Sequence, residues 1–530
     1  MSIDLRRALT VFGFVFALCL AARAPAQSDK GGKGDAPAKP DAPVKADAKT
    51  AAEPSVTEHS VTIGGKVIRY RATAGLLPLL DDGKKAKANV FHVAYERLPD
   101  EKPTAEGTKD ELSRAEKAKR PITFAFNGGP GSSSVWLHMG ALGPRRVRFG
   151  DEGEMLAVPA ELVDNDQSWL DFTDLVFIDP VSTGYSRPAD GEDAKQFHGL
   201  EEDIRAVAEF IRLYLVRSER WESPKYLSGE SYGTTRASGL AAELQGRMGI
   251  YLSGITLVSP VLNFQTLRFD AGNDLPYWLF LPTYAATAWH HKKLAPPLDA
   301  DLEKTLAEVE QWSQTEYVVA LAAGDRLTPQ RRQAVAEQLS RYTGLSAAYW
   351  LRNDLRVPQP GFCKEILRDQ QRTVGRFDSR YKGIDSRDVG ERTDYDPSYA
   401  VIQGPFTAAL NAYVRTELKF MSDVPYEILT GRVQPWNYDT FTNRYVTVAD
   451  SLRAGMTQNP NLRVLVMSGY YDLATPHFAI AHTIAHLDLD KSVRGNISQT
   501  FYKAGHMMYL RKDDLVKFRS DAAAWYAGGR

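Results

Sequence analysis

The sequence predicts an α/β fold with one open, mostly parallel β-sheet, antiparallel strands at its N-terminal end and a mainly helical insertion. The first observation is a set of short, nearly continuous apolar runs bounded by Gly, Pro, Ser or Asp, which is typical of strands buried on both faces. The second is the helical periodicity of segments between these runs. The runs are ITFAFN, DLVFIDP, KYLSGES, GITLVSP and LRVLVMSG.

The first 55 residues are predicted to lie outside this fold. Two arginines and the apolar run 8–22 precede an Ala-Pro-Ala sequence, so residues 1–26 are predicted to be a secretory signal peptide. The apolar run is short for a membrane span, and we expect no stable membrane insertion after cleavage. Residues 27–55 are almost wholly Ala, Lys, Asp, Pro and Gly, and this composition predicts a disordered linker.

Composition and charge exclude several classes of protein. The chain has 530 residues, 43% of them hydrophobic, which is enough for a large core. A formal net charge of -1 provides no basic surface for nucleic acid, which is therefore not an expected partner. Of the two cysteines, Cys19 lies in the predicted signal peptide, so the mature chain would hold only Cys363 and no internal disulfide. Cys363 is predicted to be an inert, packed residue. For residues 1–26, the alternatives to a cleaved signal peptide are an uncleaved membrane anchor and a lipid attachment at Cys19.

Antiparallel strands are predicted directly after the linker. The segment SVTIGGKVIRYRATAG alternates in polarity on both sides of Gly64 and Gly65, which indicates a hairpin with a two-residue turn. The segment ANVFHVAYERL continues the same pattern. The buried-type runs then alternate with helices, the clearest of which is GLEEDIRAVAEFIRLYLVRS.

The alternation of strands and helices stops between about residue 264 and residue 433. This stretch is rich in Trp, Tyr and helix-like segments and contains no convincing buried strand. We therefore predict a first part of the α/β core at 56–263, a helical cap insertion at 264–433 and a second part of the core at 434–530.

The first candidate catalytic residue is Ser231. It lies in the Gly-Glu-Ser-Tyr-Gly sequence at 229–233, between a predicted strand and a predicted helix. Such a turn needs glycines on both sides and places the hydroxyl at a helix N-terminus. Because a serine hydroxyl needs a base to remove its proton, an acid and a histidine should follow in the order Ser, Asp, His.

Asp472 and His506 are the best candidates for the acid and the base. The strand LRVLVMSG leads into a loop that holds Asp472, and Thr475 and Pro476 are predicted to begin the next helix. A later strand, ISQTFYKAG, ends at His506. Both residues follow strand C-termini, at the same edge of the sheet as Ser231, where open α/β sheets bind ligands.

Other residues compete for these roles. His477, His482 and His486 also follow Asp472, but no glutamate completes a metalloprotease pattern, so packing or surface roles and no metal site are predicted. Asp179 also ends a predicted strand. It precedes the serine, however, and the required order disfavours it.

A loop almost without side chains, NGGPGSSS, follows the strand ITFAF. Attack on an acyl group creates an oxyanion, which two backbone N–H groups can stabilise. Tyr232, directly after the nucleophile, supplies one of these groups, and the glycine loop can supply the other because its backbone can approach a ligand closely. A phosphate-binding loop is the alternative reading, but the lysine that such a loop needs is absent.

Five sequence blocks, which occur in the order typical of the family, resemble the serine carboxypeptidase family (peptidase family S10), which has the α/β-hydrolase fold. The resemblance covers nearly all of the mature chain and implies that Ser231 is the nucleophile, His506 the base and then the acid, and Asp472 the residue that holds the imidazole. The five blocks are NGGPGSSS…GALGP, DLVFIDPVSTGYS, GESYG, SGYYDLATP and AGHMMYL.

The resemblance also implies the remaining site residues. Gly129 and Tyr232 would donate to the oxyanion, and Asn127, Gly128 and Glu230 would bind the terminal carboxylate of the substrate. The implied activity is the release of C-terminal amino acids from peptides with a free C-terminus, through an acyl-enzyme and without a cofactor or metal. Together with the signal peptide, it implies an exported enzyme, periplasmic or extracellular.

Two positions differ from the pattern of the family. A glutamate that faces a carboxylate requires a proton on one of the two groups, which favours acidic pH. Members that pair two glutamates here have an acid where this chain has Ala141, so we expect a less sharp acid preference. Ser132 replaces a cysteine that is common in the glycine loop. An acyltransferase or esterase using the same residues, and an inactive binding protein, are the alternatives.

Overall fold

The structure is a computed structural model that describes residues 53–102, 110–156 and 159–528. The predicted signal peptide and residues 27–52 of the predicted linker lie outside the described residues. Within the described ranges, no helix combines the length and the apolar character needed to cross a membrane.

Strands form at every position where the sequence predicts one. In the described ranges they are β1 (Ser55–Ile63), β2 (Lys66–Leu80), β3 (Ala86–Arg97), β4 (Ile122–Phe126), β5 (Arg145–Val147), β6 (Leu162–Asp164), β7 (Asp174–Ile178), β8 (Arg187–Pro188), β9 (Lys225–Glu230), β10 (Gly254–Val258), β11 (Thr373–Val374), β12 (Lys382–Gly383), β13 (Arg463–Gly469) and β14 (Ile497–Tyr502).

One large sheet organises the fold, and its topology confirms the predicted fold class. The strand order is β1-β2-β3-β7-β4-β9-β10-β13-β14, and β8 pairs with β3 beside this path. Strand β2 is antiparallel to both β1 and β3, and β3 is antiparallel to β7. The six strands from β7 to β14 in this order are parallel. The predicted hairpin turn joins β1 and β2, and Gly64 and Gly65 both have positive φ there, which glycine adopts without steric cost.

Helices occupy the connections between the parallel strands and most of the predicted cap. They are α1 (Arg114–Lys119), α2 (Val135–Leu137), α3 (Leu200–Arg217), α4 (Tyr232–Met248), α5 (Leu275–His290), α6 (Leu302–Trp312), α7 (Val318–Ala323), α8 (Pro329–Thr343), α9 (Ala347–Arg352), α10 (Gln359–Glu365), α11 (Pro397–Thr416), α12 (Ala449–Gln458), α13 (His477–Ala485), α14 (Lys491–Arg494) and α15 (Lys512–Ala527).

Apolar side chains form a core on each face of the sheet and a third core in the cap. Helices α3, α4 and α12 pack on one face, while α15 and α11 contribute to the core of the other face. The cap core consists mainly of side chains from α5 to α10, but it also includes Tyr471 and Leu473. These two residues flank Asp472, so the loop after β13 packs against the cap as well as the sheet.

The predicted cap contains a small hairpin that the sequence did not indicate. Strands β11 and β12 pair over two residues each, and Thr373 and Val374 are buried. This hairpin carries residues 375–381 towards the loops that follow β13 and β14.

Candidate active site

Ser231 lies in a tight turn between β9 and α4. Its φ of 59° and ψ of -129° are strained for a residue with a side chain. A Cβ on Gly229 would lie 2.2 Å from the Gly233 carbonyl oxygen, and one on Gly233 would lie 2.8 Å from the Phe126 oxygen. The two glycines are therefore required by the close approach of strand and helix, as the motif predicted.

The side chain of Ser231 is half-buried and does not cap the helix that it precedes. Within the described residues, no hydrogen bond joins its Oγ to the imidazole of His506. Such a contact in ligand-free enzymes is often long and closes only when substrate binds.

Asp472 and His506 are in direct contact. His506 Nδ1 lies 2.7 Å from Asp472 Oδ2, and both side chains are buried. The other oxygen, Oδ1, accepts hydrogen bonds from the backbone N–H groups of Ala474 (2.7 Å) and Thr475 (3.0 Å). This network fixes the carboxylate and aims the opposite ring nitrogen, Nε2, away from it.

Thr475 has a different role from the one that the sequence suggested. Helix α13 begins at His477, with Pro476 rather than Thr475 before its first turn. The Thr475 hydroxyl instead lies 2.7 Å from Asp472 Oδ2 and 2.9 Å from the Ser259 carbonyl oxygen. It therefore helps to hold the carboxylate beside the imidazole.

A segment of the cap, residues 376–378, supports both of these loops, and the sequence analysis missed it. The His506 N–H donates to the Phe377 carbonyl oxygen at 2.6 Å, and the Phe377 ring stacks on the imidazole at 4.9 Å between centroids. The Asp378 carboxylate accepts from the Gly505 N–H at 2.9 Å. The Arg376 carbonyl oxygen accepts a hydrogen bond from the backbone N–H of the residue that follows Asp472. No local sequence pattern links this segment to residues about 100 positions later.

The surroundings of His506 favour its protonated form. Burial by itself lowers its pKa, but the Asp472 carboxylate and the nearby Glu230 outweigh burial, so the pKa is raised overall. A proton taken up by this imidazole would therefore be held more firmly than in water, which suits a group that accepts one during a reaction.

The glycine loop lies directly against the helix that follows Ser231. A Cβ on Gly128 would be 2.3 Å from the Tyr232 nitrogen, so only glycine fits. In the described part of the chain, the N–H groups of Gly129 and Tyr232 donate to no other backbone group. These are the two groups that the sequence analysis assigned to an oxyanion.

A buried arginine on α4 holds this loop from below, and it was also missed. Arg236 Nη1 donates to the Asn127 carbonyl oxygen at 2.6 Å, while Nε lies 2.7 Å from Asp203 Oδ2. Both members of this ion pair are almost completely buried. The arginine therefore connects helices α3 and α4 to the start of the glycine loop.

Glu230 and Asn127 are in direct contact beside Ser231. Asn127 Nδ2 donates to Glu230 Oε1 at 2.9 Å, and both side chains are buried. An additional residue, Tyr509, donates its hydroxyl to Glu230 Oε2 at 2.6 Å. Burial raises the pKa of Glu230 to about 7, against the influence of His506 and these two donors.

The competing residues have other partners. Asp179 accepts hydrogen bonds from the backbone N–H and the hydroxyl of Ser134 at 2.9 and 2.8 Å, and burial raises its pKa to about 6. His477 lies 3.0 Å from Glu310 on the cap helix α6. Cys363 is buried, and burial raises the pKa of its thiol to about 12, which makes it unreactive.

The remaining two competitors contact each other. The rings of His482 and His486 lie 4.1 Å apart near the end of α13. In the described ranges, no three His, Cys, Asp or Glu side chains are grouped so that they could hold a metal ion.

The parallel sheet, the strained serine after β9 and the Asp and His after the last two strands define an α/β-hydrolase fold with a Ser–His–Asp set. A sequence model of the serine carboxypeptidase family matches residues 111–516. The chain therefore belongs to this family, which confirms the resemblance seen in the sequence.

Individual relatives are similar over shorter stretches. The pheromone-processing carboxypeptidase KEX1 of Cryptococcus gattii is 34% identical over 122 residues, which are 23% of this chain and 17% of that protein. The retinoid-inducible serine carboxypeptidase of Mus musculus is 30% identical over 156 residues, 27% of this chain and 30% of that protein. The matched stretches thus span less than a third of these two curated relatives.

A solved structure supports the fold over a longer range. It is that of a prohormone-processing carboxypeptidase, KEX1(delta)p, from Saccharomyces cerevisiae, with a TM-score of 0.50 and 17% sequence identity. The alignment covers 86% of this chain and 91% of that chain.

Proposed function

We propose that this protein is an exported serine carboxypeptidase that releases C-terminal amino acids from peptides through an acyl-enzyme. The observation that carries the proposal is the buried, hydrogen-bonded pair of Glu230 and Asn127 next to the serine turn, where the terminal carboxylate would bind. Family membership and the contact between Asp472 and His506 support the same conclusion.

The first chemical step forms the acyl-enzyme. Ser231 Oγ attacks the carbonyl carbon of the last peptide bond while His506 Nε2 takes the hydroxyl proton. Asp472 stabilises the resulting imidazolium. The N–H groups of Gly129 and Tyr232 donate to the oxyanion, and each such donor is worth roughly 3–4 kcal/mol in the transition state.

The second step regenerates the enzyme. His506 donates its proton to the nitrogen of the departing amino acid, and the C–N bond breaks. Water then attacks the ester carbonyl, with His506 again taking a proton, and Ser231 leaves with that proton. The peptide product is shorter by one residue.

Binding of a free C-terminus restricts cleavage to the last bond. A substrate carboxylate beside Glu230 requires one proton between the two acids, and the raised pKa of Glu230 supplies that proton at neutral to acidic pH. Asn127 and the backbone of Gly128 would provide neutral hydrogen-bond donors.

The deciding experiment follows a peptide mixture by mass spectrometry. The wild-type protein should produce ladders shortened from the C-terminus, and Ser231→Ala should not. The same assay is repeated with three other kinds of substrate: peptides with an amidated C-terminus, simple esters, and esters with an added acceptor. Release from esters alone would indicate an esterase, and product formation that needs the acceptor would indicate an acyltransferase. Failure of Ser231 to react with a fluorophosphonate would indicate an inactive binding protein.

The proposed export rests on the sequence of residues 1–26. It is tested by expressing the full chain in a bacterial host and determining the N-terminus of the protein recovered outside the cytoplasm. A mature N-terminus close to residue 27 supports the proposal, and an intact chain confined to the cytoplasm contradicts it.

A further inference from the structure

The carboxyl group of Glu230 is held by a hydrogen-bond donor on each of its two oxygens. Asn127 donates to Oε1 at 2.9 Å from the loop after β4, and Tyr509 donates to Oε2 at 2.6 Å from the turn after His506. Glu230 is only 2% exposed. A buried carboxyl group with two such contacts has a fixed orientation.

Tyr509 itself is fixed by packing. Its ring is buried, lies edge-on to Phe518 at 5.8 Å, and touches Gly140 so closely that a Cβ on that glycine would be 2.5 Å from the ring. The hydroxyl is therefore aimed at Glu230 by the ring. Ala141, next to Gly140, is buried and carries only a methyl group, so it cannot donate a hydrogen bond.

We propose that Tyr509 is a positioning residue for Glu230: its hydroxyl holds the carboxyl group in place and sets the pH range in which Glu230 can receive a substrate carboxylate. This inference rests on the proposed function, because it assumes that Glu230 binds the C-terminus of a peptide.

The direction of the effect follows from the chemistry of the contact. A phenol that donates to a carboxylate stabilises the ionised form and lowers the pKa of Glu230, whereas burial stabilises the neutral form and raises it. The other groups that face Glu230 are Asn127 and His506, which lower its pKa, and Asp472, which raises it. Tyr509 is thus one of three groups that oppose the effect of burial.

Removal of the hydroxyl should therefore keep Glu230 protonated to higher pH. For peptides with a free C-terminus, kcat/KM should fall with rising pH as Glu230 loses its proton. In Tyr509→Phe this fall should move upward by about one pH unit, the size expected when one hydrogen bond to a charged group is lost. In Glu230→Gln the fall should be absent, because the amide does not ionise.

The experiment compares pH profiles of kcat/KM for the same peptide with a free and an amidated C-terminus. The wild-type protein, Tyr509→Phe and Glu230→Gln are measured, with Tyr526→Phe as the matched control. Tyr526 is another buried tyrosine, and its hydroxyl bonds to Thr123, away from the site. The control should keep the wild-type pH profile. For the amidated peptide, kcat/KM should lack the falling limb, that is, the decrease with rising pH that the ionisation of Glu230 causes.

A second variant gives the opposite sign without removing the hydroxyl. Fluorotyrosine at position 509 makes the phenol a stronger donor, so the same limb should move to lower pH. It preserves the packing of the ring and remains informative if Tyr509→Phe is poorly folded. The ionisation of Glu230 is followed independently of activity, by the infrared carboxyl signal that is lost in Glu230→Gln.

The outcomes separate the inference from the proposed function. A uniform loss of activity in Tyr509→Phe, with the limb and the infrared titration unchanged, would show that the tyrosine only packs the core. Absence of C-terminal release by the wild-type protein would overturn the proposed function. In that case the infrared titration of Glu230 in the two Tyr509 variants still decides whether the tyrosine controls its ionisation.

Discussion

The substitution Gly128→Ala should push apart the two parts of the predicted oxyanion site, the glycine loop and the N–H of Tyr232. The backbone of Gly128 is not in the positive-φ region, so alanine could adopt it and the effect is purely steric. The added Cβ would lie 2.3 Å from the Tyr232 nitrogen and 2.6 Å from the Gly233 nitrogen. Since non-bonded contacts normally lie near 3.5 Å, the loop and the helix must move apart by about 1 Å.

A displacement of this size should have a large effect on catalysis. A misplacement of about 1 Å costs about 10²-fold in rate, and the loss of one oxyanion donor costs about 10²–10³-fold. We therefore expect Gly128→Ala to lower kcat for peptide hydrolysis by about 10²-fold. The assay is steady-state kinetics normalised to the number of active sites, with the folded fraction checked by circular dichroism.

The matched control is Gly404→Ala. Gly404 lies on the exposed side of α11, and a Cβ there would meet nothing within 4 Å, so kcat should not change. A folded Gly128→Ala protein with a kcat within about threefold of wild type would contradict this prediction, because the loop could then shift without affecting the reacting carbonyl.

Three further predictions concern the acid, the pH dependence and the buried arginine. Asp472→Asn should lower kcat by about 10⁴-fold with little change in KM, because the imidazole loses its partner and its tautomer. The pH profile of kcat/KM should be a narrow bell near neutral pH: it rises as His506 loses its proton, at a pKa raised above the ordinary value, and falls as Glu230 loses its proton near pH 7. Arg236→Met should lower the free energy of unfolding by about 3–5 kcal/mol, measured with denaturant, because Asp203 is left buried without its partner.

Each of these has a result that would contradict it. If KM of Asp472→Asn rose by as large a factor as kcat fell, the substitution would have disrupted the structure of the whole site, which would contradict the prediction for the acid. An activity confined to strongly acidic pH would mean that Glu230 is not the group that limits binding. Arg114→Met, which breaks an exposed pair with Glu222, should leave stability unchanged, and an equal effect of the two arginine variants would contradict the role of burial.

The sequence was informative where function depends on local backbone geometry. The glycines around Ser231 and at Gly128 mark places where a Cβ would collide with a neighbouring backbone atom, and such places need glycine in any context. The continuous apolar runs identified the parallel strands, because only strands covered on both faces can carry them. The chain order of serine, acid and histidine then selected Asp472 over Asp179.

Residues that act through distant contacts are not marked by any local pattern in the sequence. Threonine is a residue type that commonly caps helices, which is why Thr475 is predicted to be a cap. In the structure its hydroxyl bonds instead to the carboxylate of Asp472. Phe377 and Asp378 belong to the predicted cap, where nothing in the sequence relates them to His506. Tyr509 lies within a recognised block, yet the sequence does not show which side chain it faces.

Apolar periodicity and glycine positions report local burial and backbone conformation. The fold class, the order of the strands along the chain and the candidate side chains for the chemistry can therefore be predicted from the sequence alone. The partners of those side chains are seen only in the three-dimensional structure: Tyr509 on Glu230, Arg236 on the Asn127 carbonyl and residues 376–378 on the His506 loop. These contacts join residues about 100 to 280 positions apart, and they depend on distances of about 3 Å that hydrogen bonding requires and that no pattern along the chain encodes.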